Sequence, residues 1–234
     1  MTSALLTTLN FSFLNKYWFL FVDGTITTLV LAIFTVVLGT ILGVLIALLR
    51  LSDTRLLRYP AQVYIEVIRG TPMLVQIYFI FYALPQIGLR IPEVPLFGQD
   101  FPRYASGILA LSINSGAYVA EIIRAGIQAV DKGQTEAARS LGMTQGQTMK
   151  KIVLPQAFKN ILPALGNEFV TIIKESSIVS VIGVGELMFR TSTVYGNSFR
   201  FFESLIICAI IYFVLTFTTS RLLGIMERRL RTGE

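Results

Sequence analysis

Glu168, Lys174 and Glu175 interrupt an otherwise largely apolar stretch from Ile161 to Phe189. In a second apolar stretch, Asn114, Tyr118 and Glu121 recur at i, i+4 and i+7, a spacing that puts them on one face of a helix. Polar atoms so placed can receive a polar guest, and Glu168 is a carboxylate able to meet a cation. Beyond Lys174, Gly183 and Gly185 loosen the chain, so backbone groups and the hydroxyls of Ser176 and Ser177 become candidate contacts, as in the broken helices of transporters. Plainer pairings compete: Glu121 with Arg124 at i, i+3, and Lys174 with Glu175 or Glu168 as a structural ion pair. Covalent chemistry is harder to build. The 234 residues contain no histidine and one cysteine, Cys208, which removes histidine-based triads, HExxH zinc sites and an internal disulfide. A Ser176–Lys174 hydrolase fails because residues at i, i+2 do not face each other on a helix. No catalytic or metal-ligating residue is therefore expected, and no GxxxxGK[ST] loop is present, so any ATP is hydrolysed by a partner.

The elements that hold these residues are set by the solvent. Hydrophobic residues make up 53% and charged residues 15% of the chain, well below the roughly 25% charged of soluble domains. With about 20 apolar residues needed per crossing, five transmembrane helices are expected at approximately 24–49, 59–84, 104–130, 161–189 and 201–223, the fourth as one broken or kinked helix. Charge at mid-bilayer costs at least about 2.5 kcal/mol on insertion scales, so the fourth span must turn its charges toward protein or a wet cavity. Gly39-x-x-x-Gly43 in the first span reads as a close helix contact. With five crossings, thirteen Lys and Arg fall on one side and five (Lys16, Arg90, Arg103, Arg190 and Arg200) on the other. The positive-inside rule then puts the N-terminus outside and the C-terminus in the cytoplasm. The net charge of +6 thus reads as membrane anchoring, with no nucleic-acid partner.

The longest polar stretch, 131–160, reads as two short helices. Thr135 is the expected N-cap of the first and Gly142 its left-handed C-cap; Thr144 to Gln147 fits a capping box for the second, which Pro155 should end. Ala137, Ala138 and Gly142 leave the first piece slim enough to dock in a partner's groove, although a helix lying on the membrane surface fits the local pattern equally.

Glu136-Ala137-Ala138, then Gly142, then Ile152-Val153-Leu154-Pro155 resemble the EAA motif of ABC importer permeases, with every position filled. Arg69-Gly70-Thr71-Pro72 with Leu74-Val75-Gln76, Asn114 to Tyr118 ahead of Glu121 to Gly126, and Gly166 to Phe169 before Lys174 to Ser177 resemble the branch that imports glutamine, histidine, arginine or cystine. Only about the first twenty residues fall outside the likeness.

The resemblance implies an all-α integral membrane protein of the type I ABC importer permease fold, with an extracytoplasmic segment 1–19, a transmembrane domain 20–225 and a cytoplasmic tail 226–234. It implies a multi-pass protein of a prokaryotic cell membrane (inner or plasma), pairing with a second, by default identical, permease chain. Two ABC ATPases that use ATP and magnesium would sit below, and an extracytoplasmic binding protein would deliver a polar amino acid; this chain itself binds no cofactor. Glu136, Ala137, Ala138, Gly142, Leu154 and Pro155 would form the ATPase-coupling loop, and Glu168, Asn114, Ser115, Tyr118, Ser176 and Ser177 the substrate site. A cation channel ringed by Glu168 and Glu175 is the rival reading, and it leaves the capped cytoplasmic helices without a purpose.

Overall fold

A computed structural model describes residues 9–94 and 100–231, and the described chain is almost entirely helical. Residues 1–8 and 232–234, at the ends of the two expected terminal segments, and 95–99, in the polar loop after the second expected span, lie outside it. The helices are α1 (Leu14–Arg50), α2 (Arg55–Gly70), α3 (Met73–Tyr78), α4 (Leu84–Gln86), α5 (Phe101–Gln128), α6 (Lys132–Ser140), α7 (Gln145–Thr148), α8 (Leu154–Glu175), α9 (Leu187–Ser198) and α10 (Phe201–Arg231). Three of them, α1, α5 and α10, are long and apolar enough to cross a membrane, and α2 with Met73–Gln86 makes a fourth if that bent pair is one span.

The expected first span begins early. α1 starts at Leu14 because Lys16 and Asp23 sit in it without breaking it, so residues 14–19 of the expected N-terminal segment are already helix. At the other end, residues 226–231 of the expected tail continue α10. α1 lies along α5 as the most extensive helix contact. Glycines permit it: a Cβ on Gly39 would come within 2.9 Å of Ser115, one on Gly43 within 2.5 Å of Val119, and one on Gly116 within 2.9 Å of Leu42. The Gly39-x-x-x-Gly43 pair is a close helix contact, as its spacing predicts.

The expected second span is not one straight helix. It turns by 109° between α2 and α3. Pro72 disfavours helical geometry at the residue before it, and Thr71 is extended (φ −115°, ψ 143°). A side chain absorbs the broken backbone: the Gln76 amide donates to the Ile68 carbonyl (2.7 Å), the Thr71 carbonyl (3.1 Å) and the Thr71 hydroxyl (2.9 Å).

Pro155 does not end a helix either. A π turn, Met149–Val153, joins α7 to α8, and the Leu154 N–H reaches back to the Met149 carbonyl. Proline lacks an N–H and its ring presses on the carbonyl four residues back; the widened turn relieves both, so the helix runs on to Glu175. The same device, π turn Phe79–Ala83 followed by Leu84 and Pro85, stands at the end of the second span.

The stretch expected as the fourth span is broken, as its glycines suggest. α8 tightens into a 3₁₀ turn at Ser176–Ile182, closed by Gly183 in the left-handed conformation (φ 78°), whose carbonyl accepts from Arg103 at 3.4 Å. α9 then starts afresh on Glu186, a residue absent from the sequence-level candidates. Fully buried, its carboxylate accepts from the N–H groups of Met188 (2.8 Å) and Phe189 (2.7 Å) and from the Tyr212 hydroxyl (2.8 Å). A carboxylate at a helix N-terminus answers orphan donors and the dipole together.

Candidate functional site

α1, α5, α8 and α10 enclose a cavity of about 360 Å³, within the roughly 300–1,000 Å³ of small-molecule sites. Glu168 and Asn167 from α8, Ser115 from α5 and Thr40 from α1 supply polar groups, and Ser220, Gly224 and Glu227 of α10 carry the lining toward the end of that helix. Glu168 and Glu227 are the carboxylates of the lining, Glu227 already engaged by a partner, and no Lys or Arg lines it among the described residues. Ser115 is 2% exposed, and its hydroxyl has no hydrogen-bond partner among the described residues. Its place in the same lining as Glu168 leaves a buried donor–acceptor beside a carboxylate. Pro163 and Gly166 shape the α8 wall; a Cβ on Gly166 would approach Leu223 to 3.0 Å.

Only two of the six candidate substrate residues, Glu168 and Ser115, line this cavity. Asn114 is buried and its amide donates to the Gln76 side chain at 3.0 Å, which ties it to the α2–α3 break. Tyr118 is partly exposed beneath the Arg69 guanidinium, 5.3 Å from its ring centre. Ser176 and Ser177 donate to the carbonyls of Ile173 (2.8 Å) and Lys174 (2.7 Å), so their hydroxyls serve the 3₁₀ turn. Glu121 pairs with Arg124, whose Nε donates at 3.0 Å. Lys174 is exposed and takes part in no ion pair among the described residues, so its pairing with Glu168 or Glu175 is not formed. Thr40 and Asn167 were missed. A lone threonine between Gly39 and Gly43 and an amide next to Glu168 are the signals that point to them.

The second constellation is the loop between α5 and α8. Here the N-cap expectation fails: α6 starts at Lys132, four positions before Glu136, because the Asp131 carboxylate accepts from the Gly133 N–H. Thr135 is inside the helix. The C-cap and capping box form as expected. Gly142 is left-handed (φ 83°), the Met143 N–H bonds the Ala138 carbonyl at 3.1 Å, and Thr144 and Gln147 exchange bonds of 2.9 and 3.3 Å. Glu136 and Ala137 are exposed, and so are Gly142 and Leu141, the latter at 85%; Ala138 is buried. Leu154 and Pro155, both exposed, follow the π turn at the start of α8.

Residues 39–232 match the family described as binding-protein-dependent transport system inner membrane component. Over 212 residues, 91% of this chain and 93% of the relative, the sequence is 41% identical to the arginine transport system permease protein ArtQ of Bacillus subtilis (strain 168). It is 42% identical over 209 residues, 89% of this chain and 92% of the relative, to a putative glutamine transport system permease protein, GlnP, of Rickettsia bellii (strain RML369-C). The fold matches a crystal structure of an amino acid ABC transporter with histidines at a TM-score of 0.87 and 50% identity, over 95% of this chain and 99% of that one. An inward-facing MetNI methionine ABC transporter matches at a TM-score of 0.74 and 17% identity, over 92% and 98%, a likeness of fold alone.

Proposed function

The chain belongs to the family of binding-protein-dependent transport system inner membrane components, and from that premise we propose that it carries a polar amino acid through a cavity centred on Glu168. It is the permease subunit of a bacterial ABC importer, it lies in the inner membrane, and it is not itself the catalytic component. Such a transporter works with ATPase and binding-protein partners, and the ion-channel reading loses its support. In this reading the chain crosses the membrane five times with its N-terminus outside, pairs with an identical copy, and binds two ATPases that consume ATP with magnesium. It needs no cofactor of its own.

The cavity beside Glu168 carries the proposal. The Glu168 carboxylate in a lining whose described residues include no Lys or Arg favours a positively charged guest, so the substrate class is an amino acid with a cationic side chain, its ammonium or guanidinium on Glu168 and Ser115. The relatives named for arginine and glutamine transport agree with an amino acid cargo. Asn114, Tyr118, Ser176 and Ser177 then act indirectly, by holding the elements around the pocket. Glu136 to Gly142 dock on the ATPase, and Leu154 and Pro155 pass the displacement directly into α8, which carries Glu168. A continuous helix transmits such a movement where a slack loop would absorb it.

Glu168→Gln is expected to lower ATP-driven arginine uptake into proteoliposomes at least about tenfold, the loss of one charge-assisted bond of about 1.5–3 kcal/mol, while ATPase docking persists. Wild-type uptake by this variant would return Glu168 to a structural role.

A further inference from the structure

The starting ends of α1 and α10 meet. The Asn10 N–H donates to the Glu203 carboxylate at 3.2 Å, and Phe13, Phe21, Leu187, Val194 and Cys208 form a buried cluster beneath the junction. Around it five large aromatic side chains face outward: Trp18 (59% exposed), Phe19 (51%), Phe199 (90%), Phe201 (56%) and Phe202 (65%). Two cations, Lys16 and Arg200, stand near them in the sequence, Arg200 also pairing with Glu203 at 3.5 Å. Phe199 is the most telling. It caps α9 in the left-handed conformation (φ 57°, ψ 21°), and it is the single non-glycine residue with positive φ among the described residues. That position at a helix end is usually given to glycine, yet here a bulky residue is held there with its ring in the open.

We propose that these aromatics are an interfacial anchor, with their rings at the headgroup–acyl boundary of the bilayer and Lys16 and Arg200 on lipid phosphates. Level and continuity favour lipid as the occupant. The uncharged stretches of the two helices begin at Gly24 and Ser204, just inside the aromatics. Below them the outward faces stay apolar, with Ile26, Ile33 and Phe34 on α1 and Ile210, Phe213 and Phe217 on α10 all exposed. α1 has 37 residues, about 55 Å at 1.5 Å per residue, longer than the roughly 40–45 Å of a bilayer with its headgroups. Some device must therefore fix which part of α1 lies in the hydrocarbon, and the amphipathic indole of Trp18, with the apolar phenyl rings just inside it, does so. The anchor requires only that α1 and α10 cross a bilayer, independently of the cargo assigned to Glu168.

Trp18 is the sole tryptophan, so the native chain carries its own reporter. The full-length chain is reconstituted into phosphatidylcholine–phosphatidylglycerol vesicles brominated either close to the headgroup or near the acyl-chain ends. The expected result is Trp18 quenching about twofold stronger from the shallow bromines, matching rings within about 5–10 Å of the interface, and the same pattern for Trp18→Phe combined with Phe199→Trp. Failure of both lipids to quench Trp18, or stronger quenching by the deep bromines, would overturn the proposal. So would an emission shift of the Phe199→Trp reporter on adding the purified binding protein, since that would make the cluster a docking surface for protein.

Discussion

Glu168 and Asn114 look alike in the sequence, each a polar side chain in an apolar helix, and the structure gives them opposite settings. Asn114 is held by Gln76, which also takes up the carbonyls freed at the break, so the pair stabilises that break. Asn114→Leu should leave the Gln76 oxygen without its donor and destabilise the chain by about 1–3 kcal/mol, seen as a lower unfolding temperature in detergent, with uptake per folded molecule retained. Glu186→Ala should be at least as damaging, because two N–H groups and the Tyr212 hydroxyl lose one acceptor together. Neither partner set was legible beforehand. A residue's own type announces that it needs a partner, but Gln76 lies 38 positions from Asn114 and Tyr212 lies 26 from Glu186, and single-sequence periodicity does not reach that far. Ser115 and Glu168 were marked in the sequence by family likeness and, for Glu168, by a carboxylate in an apolar run; that they share one cavity was not legible.

Helices were found where apolar runs predict them, and misjudged where proline and charge were taken as boundaries. Lys16 and Asp23 sit inside α1, and Pro155 follows a π turn that lets the helix continue, whereas the helix at Pro85 does end at Gln86 as the expected span at 59–84 requires. Proline says that an N–H is missing; it does not say whether the backbone stops or widens. The true break, Gly70-Thr71-Pro72, was present in the sequence as a motif without its geometry. Glycine was the more legible residue. Gly43→Leu should prevent the α1–α5 approach, where even a Cβ would come within 2.5 Å of Val119, and it should sharply reduce the folded yield by size exclusion; Gly70→Ala, with nothing within 4 Å, should be neutral in the same assay. At Gly142, alanine should cost about 1–2 kcal/mol for a left-handed β-carbon. Gly142→Trp should additionally block the exposed docking face, leaving a folded permease that no longer retains the ATPase in pull-down. Full ATPase retention by Gly142→Trp would remove the coupling role from this loop.

At the scale of the whole molecule, the sparse charge has a distribution that matters more than its sum. Three helices, or four with the bent pair, are apolar enough to cross a bilayer, and α8 falls short because Glu168, Lys174 and Glu175 interrupt its apolar run. The isolated chain leaves Lys174 exposed, which is consistent with a second permease chain or water on that side. Because Cys208 is the only cysteine and is buried, Cys208→Ser gives a background for placing single labels. In it, Lys151→Cys in right-side-out vesicles should react with a membrane-impermeant maleimide only after permeabilisation, as the excess of basic residues on that face requires. The central claim, that this chain moves a cationic amino acid through the Glu168 cavity under the control of a separate ATPase, is tested most directly by reconstituting it with its ATPase and binding protein and following labelled arginine. Accumulation that requires ATP and falls at least about tenfold with Glu168→Gln is the predicted result; arginine flux without ATP, or accumulation indifferent to Glu168, would contradict it.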